Sequence, residues 1–208
     1  MKRICNVLLI LIGIAIIVVI LLIGMKYAKN RENEKELDKV VQQIIQTKTE
    51  EQGEEIQQAK EIEYKGYQVI GILKIPAIEL EYPILEQTTN ETMKLSVTKF
   101  WGNGVNEIGN LSIAGHNNYD GTMFGKTKKL EIGDVIEVTD MTDITKQYTI
   151  YHKYITDPND ISVIEANEFG TRELTLITCS NGNKERLIIK ARENIKEEEK
   201  NERKITTF

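Results

Sequence analysis

The chain has 208 residues, a formal net charge of −5 at pH 7 and two cysteines. The mild negative charge, with no basic stripe interleaved with aromatic residues, argues against a nucleic-acid partner. The sequence also has no glycine-rich phosphate loop, CxxC pair or HExxH motif, so nothing in it indicates a nucleotide-binding or zinc-hydrolase function.

Residues 4–25 form an almost wholly apolar run in which Asn6 is the only strongly polar side chain. As a helix this run rises roughly 33 Å, enough to cross the hydrocarbon core of a bilayer. Lys2 and Arg3 precede it and no A-x-A pattern follows it, so residues 1–25 are predicted to be a short tail and an uncleaved membrane anchor. Basic residues lie on both sides of the run and do not set its orientation. Because so short a tail cannot hold a domain, we expect a cytoplasmic N-terminus and an extracytoplasmic domain behind a single span.

Residues 26–66 are rich in Glu, Lys and Gln and are predicted to be a charged helical stalk or linker. The apolar residues that match helical spacing are Leu37, Val40, Val41, Ile44 and Ile45. A dimerising coiled coil would extend this pattern, which decays after Ile45. A helix packed on its own domain, or a solvated spacer, fits the sequence better.

A mainly β domain is predicted at residues 67–195, with a charged tail at 196–208. Short runs rich in Val, Ile, Thr and Tyr alternate there with turn residues, a pattern typical of an all-β sandwich or barrel. Strands are predicted at residues 69–75, 78–80, 82–85, 110–114, 135–139, 147–155, 174–179 and 187–191. Short helical segments are predicted at residues 91–96, 123–130 and 162–166.

Cys179 ends one apolar run and Arg186 begins the next, and a polar loop containing Asn-Gly lies between them. A loop of hairpin type returns the chain to where it left, so both side chains should lie at one end of the sheet. A neighbouring cation favours the reactive thiolate, and a guanidinium can also stabilise an oxyanion. Cys5, at the edge of the apolar run, is a poor disulfide partner. Two plainer interpretations stay open: a buried structural Cys179 and a solvated Arg186 paired with Glu185 or Glu173.

A histidine would complete such a site, and the chain has two. His116 follows a predicted strand and Gly115, in a polar loop of the kind that often carries catalytic residues. His152 falls in the middle of a predicted strand, where it should pack or face solvent. His116 is therefore the predicted proton donor.

The segments TLITC (175–179), RLIIKA (186–191) and IAGHN (113–117) resemble the three signature segments of sortases, membrane-anchored cysteine transpeptidases of mostly Gram-positive bacteria. The resemblance extends over about residues 69–192 and implies the closed eight-stranded β-barrel of that family. The segment after the histidine resembles class B enzymes, whereas the early strands resemble class A or D, so the subclass stays open.

The resemblance also implies roles for individual residues. Cys179 would attack a backbone carbonyl in the C-terminal sorting signal of a secreted protein, usually an LPxTG-like pentapeptide. His116 would protonate the leaving amine, and Arg186 would position the signal and stabilise the oxyanion. Thr178 and the backbone amide of Ser180 would contact the substrate.

An amine of a cell-wall precursor or a pilin lysine would then resolve the thioester. No cofactor or metal is expected, because the acidic residues that could suggest calcium are scattered: Glu79, Glu81 and Glu86. Two rival functions remain, a thiol peptidase that releases its product to water and an inactive membrane-tethered β-barrel used in adhesion or signalling. A cysteine L,D-transpeptidase does not fit, because its Ser-x-Gly-Cys segment is absent.

Overall fold

The computed structural model describes residues 2–50, 61–165 and 170–194. The predicted tail 196–208, residues 51–60 of the predicted stalk and the last residue of the predicted helix 162–166 lie outside these ranges. The chain divides into two compact units, Met1–Glu36 and Leu37–Phe208.

Helix α1 spans Lys2–Glu50. By length and composition it could cross a membrane: its stretch Leu11–Ile44 reaches a mean hydropathy of 2.6, and none of that apolar window is buried. This agrees with the predicted anchor, whereas the orientation of the span stays a prediction. In the second unit, Leu37, Val41 and Ile44 of α1 belong to the main buried core cluster, so this part of the helix packs on its own domain.

In the part of the chain that the structure describes, nine strands form the sheet of the second unit. They are β1 Ile62–Tyr64, β2 Tyr67–Ile75, β3 Leu80–Leu85, β4 Val97–Trp101, β5 Gly109–Ala114, β6 Val135–Asp140, β7 Thr145–Thr156, β8 Arg172–Ser180 and β9 Glu185–Glu193. The order is β1-β2-β3-β4-β5-β8-β9-β7-β6, and β6 pairs back with β2. Eight strands therefore close into a barrel, as expected, and β1 adds a short ninth strand beside β2.

The predicted strand 78–80 is wrong. Pro76–Ile78 form a 3-10 turn, and the N–H of Glu79 donates to the carbonyl of Pro76 at 3.1 Å. Proline has a fixed φ and no N–H, and Glu79 has a left-handed φ of 51°. The chain therefore turns here before β3 begins.

The predicted helical segments are short in the structure. They are helix α2, Thr92–Leu95, and 3-10 turns at Phe124–Lys129 and Ile161–Ile164. A fourth 3-10 turn, Asn181–Asn183, joins β8 to β9.

The side chains on the two faces of β8 pack into two different apolar clusters. Leu174 and Leu176 point into the main core of the barrel, whereas Ile177 belongs to a second cluster with Val163 and Ile188. This small cluster lies on the outer face, under the connection between β7 and β8. Since side chains alternate along a strand, Cys179 lies on the same outer face as Ile177.

A buried ionic cluster holds the far end of the β8–β9 hairpin. The Glu193 carboxylate accepts from Lys146 Nζ at 2.8 Å and from Arg172 Nη1 at 3.0 Å, and its side chain is only 3% exposed. Burial alone would raise the pKa of Glu193, but the hydrogen bonds from Lys146 and Arg172 outweigh it and hold the pKa below its usual 4.5. The carboxylate therefore stabilises the fold above pH 4.5, and this contribution is lost as the pH falls through the lowered value.

We expect Glu193→Gln to lower the free energy of unfolding by about 2 kcal/mol at pH 7. The difference from the wild type should shrink as the pH falls from 4.5 through the lowered pKa of Glu193, because the carboxylate is protonated over this range and becomes neutral like the glutamine side chain. Urea unfolding between pH 7 and pH 3 measures this. Glu137→Gln is the control, since its carboxylate accepts a surface hydrogen bond from Gln147. A difference that is constant with pH would contradict the ionic role of Glu193.

Candidate active site

Cys179 and Arg186 face each other across the β8–β9 hairpin. Their Cα atoms are direct partners in the antiparallel register, so their Cβ atoms lie about 4.5–5.5 Å apart on one face of the sheet. Three consecutive left-handed residues make the connecting turn, Asn181 (φ 46°), Gly182 (61°) and Asn183 (72°). Asparagine and glycine tolerate this conformation best, which explains why an Asn-Gly-Asn sequence brings the thiol and the guanidinium together.

These two residues line one cavity of about 380 Å³ on the outer face of the barrel, together with Thr178. Thr178 is almost fully buried, and its hydroxyl donates to the carbonyl of Gly115 at 2.7 Å. Ser180 pairs with Glu185 at the end of β8 and lies outside the cavity lining. The structure therefore brings together three of the five predicted site residues in this cavity.

His116 lies directly after Gly115, which is part of the cavity wall. The loop that carries it is joined to β8 on both sides: Gly115 N–H donates to Ile177 O at 3.2 Å, and Asn117 Nδ2 donates to Cys179 O at 2.8 Å. A Cβ on Gly115 would lie 2.8 Å from Phe124 Cδ2, so glycine permits this close packing. The main chain at His116 is thus held against the cysteine end of β8, although His116 itself is not among the lining residues.

The guanidinium of Arg186 is half-buried and oriented by its own turn. Its Nη1 donates to the carbonyls of Asn183 at 3.2 Å and Glu185 at 3.1 Å. The Glu173 carboxylate, one of the two ion partners considered from the sequence, instead accepts from Arg192 at 3.4 Å. Arg186 therefore borders the cavity with its positive charge.

His152 lies away from this cavity. It is exposed on β7, and its ring stacks on Tyr154 with the centroids 4.7 Å apart. This position matches the expectation that His152 packs or faces solvent.

An apolar wall extends the cavity, and sequence reasoning missed part of it. Phe100 and Trp101 line it at the end of β4, and Ile161 lines it from the β7–β8 connection. The β4–β5 register shifts between Lys99 and Trp101, so a bulge at Phe100 breaks the strict alternation of side chains. All three large apolar side chains are exposed, at 49%, 59% and 76% respectively. Adjacent aromatics in the sequence were the available signal, but the bulge that brings both to one cavity depends on pairing with a distant strand.

A buried polar network fixes the β7–β8 connection over the outer face. Asn110 Nδ2 donates to Ile164 O at 2.9 Å, and Asn110 Oδ1 accepts from the Thr175 hydroxyl at 2.8 Å. Lys190 Nζ donates to Glu165 O at 3.1 Å, and burial lowers the pKa of Lys190. Sequence reasoning missed this network; its signal was a set of polar residues at alternating positions within otherwise apolar strands.

Within the described ranges, no group of three or more His, Cys, Asp or Glu side chains could hold a metal ion. The chemistry of the cavity is that of a thiol beside a permanent cation, with a histidine loop fixed alongside.

Comparisons with known proteins identify the family. The sortase-domain family model matches residues 73–194. Sortase A of Bacillus anthracis is 33% identical over 113 residues, which cover 54% of this chain and 52% of the relative. Sortase D of Bacillus subtilis is 32% identical over 113 residues, covering 54% of each chain. The chain spans about half the length of the curated relatives it matches.

A structural comparison covers more of the chain. The structure of a Clostridium perfringens Sortase D5 transpeptidase superposes with a TM-score of 0.59 at 29% identity. The superposition covers 78% of this chain and 98% of that one.

We expect Asn110→Ala to lower the free energy of unfolding by about 1–3 kcal/mol, because it leaves the buried Thr175 hydroxyl and the Ile164 carbonyl without their partner. Hydrogen exchange at residues 161–164 should accelerate. Asn159→Ala is the control, since the Asn159 side chain contacts Asp157 at the surface, and it should cost no more than about 0.5 kcal/mol. Equal effects of the two substitutions in urea unfolding and hydrogen exchange would contradict the anchoring role of Asn110.

Proposed function

This chain belongs to the sortase family, and on that premise we propose that it is a cysteine transpeptidase. It cleaves a C-terminal sorting signal of secreted proteins through a thioester on Cys179 and transfers the acyl group to an amine. The observation that carries this proposal is the direct pairing of Cys179 with Arg186 in one cavity. The attachment of the His116 loop to the cysteine strand supports it.

The first half of the reaction forms the thioester. The Cys179 sulfur attacks the carbonyl carbon of the scissile peptide bond, and the negative charge that develops on the oxygen is stabilised by the guanidinium of Arg186. His116, which holds the proton that the Cys179 thiol has lost, gives it to the leaving amine as the carbon–nitrogen bond breaks. The amine product departs, and the acyl group remains on sulfur.

The second half restores the enzyme. An incoming amine attacks the thioester carbonyl, and His116 accepts the proton that this nitrogen loses. The carbon–sulfur bond breaks as the new amide forms, and the sulfur leaves as the thiolate, with the proton on His116. A thioester retains enough reactivity for an amine to compete with water, which is the advantage of covalent catalysis here.

The cavity supports an apolar peptide segment next to the scissile bond. Phe100, Trp101 and Ile161 offer exposed apolar surface there, and transfer of apolar surface from water favours binding. An LPxTG-like signal has a leucine and a proline ahead of the scissile bond and fits such a wall. We propose that Thr178 and the backbone amide of Ser180 contact this segment.

The proposed domain plan follows the same function. Residues 1–25 anchor the enzyme in the cell membrane with a single span, residues 26–66 join this span to the domain, and the barrel at residues 67–195 lies outside the cytoplasm. Within the joining segment, Leu37, Val41 and Ile44 pack on the domain core and Ile62–Tyr64 adds β1 to the sheet. The acceptor is an amine of a cell-wall precursor or a pilin lysine. This arrangement brings the cavity to secreted substrates that are still close to the membrane.

Cys179→Ala should abolish the covalent thioester between peptide and enzyme and reduce turnover by more than about 10³-fold, because the nucleophile is removed. The assay supplies a library of LPxTG-like peptides with and without an added amine and identifies products by mass spectrometry. His152→Ala is the control and should retain activity to within about twofold. Its circular dichroism and melting temperature, with those of Cys179→Ala, establish that both variants fold.

The products of the wild type separate the rival functions. Amine-linked peptide, formed through an adduct at Cys179, supports transpeptidation. Hydrolysed peptide alone, even at high amine concentration, would mean a thiol peptidase. No adduct with any peptide of the library would favour an inactive tethered module.

Arg186→Lys should lower kcat by about 10²–10³-fold, because an ammonium group cannot reproduce the planar, forked donors of the guanidinium at the oxyanion. The measurement is kcat and KM on one peptide from the library. Arg192→Lys is a matched control: Arg192 lies on the same strand but pairs with Glu173 away from the cavity. Full activity of Arg186→Lys would refute the role assigned to the guanidinium.

A further inference from the structure

Asn117 joins the two chain segments that carry the proposed reacting groups. It directly follows His116, and its side-chain Nδ2 donates to the backbone carbonyl of Cys179 at 2.8 Å, across 62 residues of sequence. One side chain thus connects the neighbour of the imidazole to the residue that bears the thiol.

This bond begins where the regular pairing ends. The parallel β5–β8 ladder has its last register pair at Ala114 and Ile177, and one further backbone bond joins Gly115 N–H to Ile177 O at 3.2 Å. The Thr178 hydroxyl then donates to Gly115 O at 2.7 Å, and beyond that contact the Asn117 amide provides a further hydrogen bond between the two segments. It therefore extends the connection to the residues on which the chemistry depends.

The shape of the histidine loop has separate supports. The main chain of Asn117 forms an isolated bridge with Met123, and the Asn118 side chain donates to Thr122 Oγ1 at 2.8 Å. The side chain of Asn117 is consequently not required to close the loop. Its hydrogen bond sets where the closed loop lies relative to β8.

We propose that Asn117 is a positioning residue, whose side-chain amide fixes the His116 imidazole in place relative to the Cys179 thiol. Asn117 is exposed, and a single hydrogen bond at such a site contributes only about 1 kcal/mol to stability. Misplacement of a catalytic group by 1 Å can cost about 10²-fold in rate. The expected loss is therefore mainly in reactivity, with the fold retained.

The test is a double-mutant cycle read out by alkylation of Cys179, which needs no peptide substrate. The full chain in detergent micelles reacts with iodoacetamide: the sulfur forms a bond to carbon, iodide leaves, and the thiol proton is released. The rate at Cys179 is followed by mass spectrometry of its peptide, which separates it from Cys5. The variants are Asn117→Ala and Asn117→Asp, each made alone and in a His116→Ala background.

Asn117→Asp keeps the size of the side chain but places a carboxylate, which cannot donate, against the Cys179 carbonyl. Asn118→Ala is the matched control, because it removes a hydrogen bond from the same loop without touching β8. Melting temperatures verify that the variants fold. If Asn117→Ala does not fold, the test is carried out with Asn117→Asp.

Both Asn117 substitutions should slow alkylation about tenfold in the wild-type background and less than about twofold when His116 is already alanine, since coupled residues are non-additive. Asn118→Ala should leave the rate unchanged. Equal slowing in both backgrounds, or Asn117 variants that match Asn118→Ala, would overturn the proposal.

This inference rests on the proposed function for the choice of reacting groups, but the two can fail separately. Coupling between Asn117 and His116 without any peptide transfer would retain the positioning role and reject the transpeptidase. Peptide transfer without coupling between Asn117 and His116 would retain the transpeptidase and reject the positioning role.

Discussion

The register between β8 and β9 is the constraint on which the candidate site depends. Because side chains alternate with a period of two, a slip of one residue in either strand would move Cys179 or Arg186 to the opposite face. The inward side chains Leu174 and Leu176 are almost fully buried in the main core, so such a slip would also expose the core. The short Asn181–Asn183 turn follows Ser180 directly, and Ser180 pairs with Glu185 where the two strands meet. Hydrophobic packing on one face thus determines the chemistry available on the other.

The parallel pairing of β5 with β8 brings the loop that carries His116 to the end of the sheet where Cys179 and Arg186 lie. Parallel strands end at the same edge of a sheet, so the loop after β5 and the last residues of β8 leave the barrel together. Such a pair cannot be joined by a hairpin and requires a long crossover, which here contains β6 and β7. The crossover also contributes the 3-10 turn Ile161–Ile164 that covers the outer face. One topological feature therefore places both the histidine loop and the cover of the cavity.

The hydrophobic periodicity and the turn residues of the sequence predicted the elements that depend on neighbouring residues in the chain. Strands with long apolar alternation and the Cys179–Arg186 hairpin follow from periodicity and turn residues, and the closed barrel followed from the family resemblance. The pattern failed at residues 78–80, where Pro76 and a left-handed Glu79 override a β-like composition. It missed β1 and β4, which are short, and β4 pairs with β3 at only two positions. The Asn117–Cys179 hydrogen bond could not be predicted, because it requires two segments 62 residues apart to be adjacent.

The polar network under the β7–β8 connection explains how this cover holds one position. Val163, Ile177 and Ile188 would cover the outer face by apolar contact alone, but such contact is non-directional and tolerates sliding. Hydrogen bonds from Asn110 and Lys190 to the carbonyls of Ile164 and Glu165 are directional and satisfy only one register. Burial of the Lys190 ammonium is unfavourable, as its lowered pKa indicates. The network therefore holds the connection in one position, where Ile161, Val163 and Ile164 line the cavity that also contains Cys179.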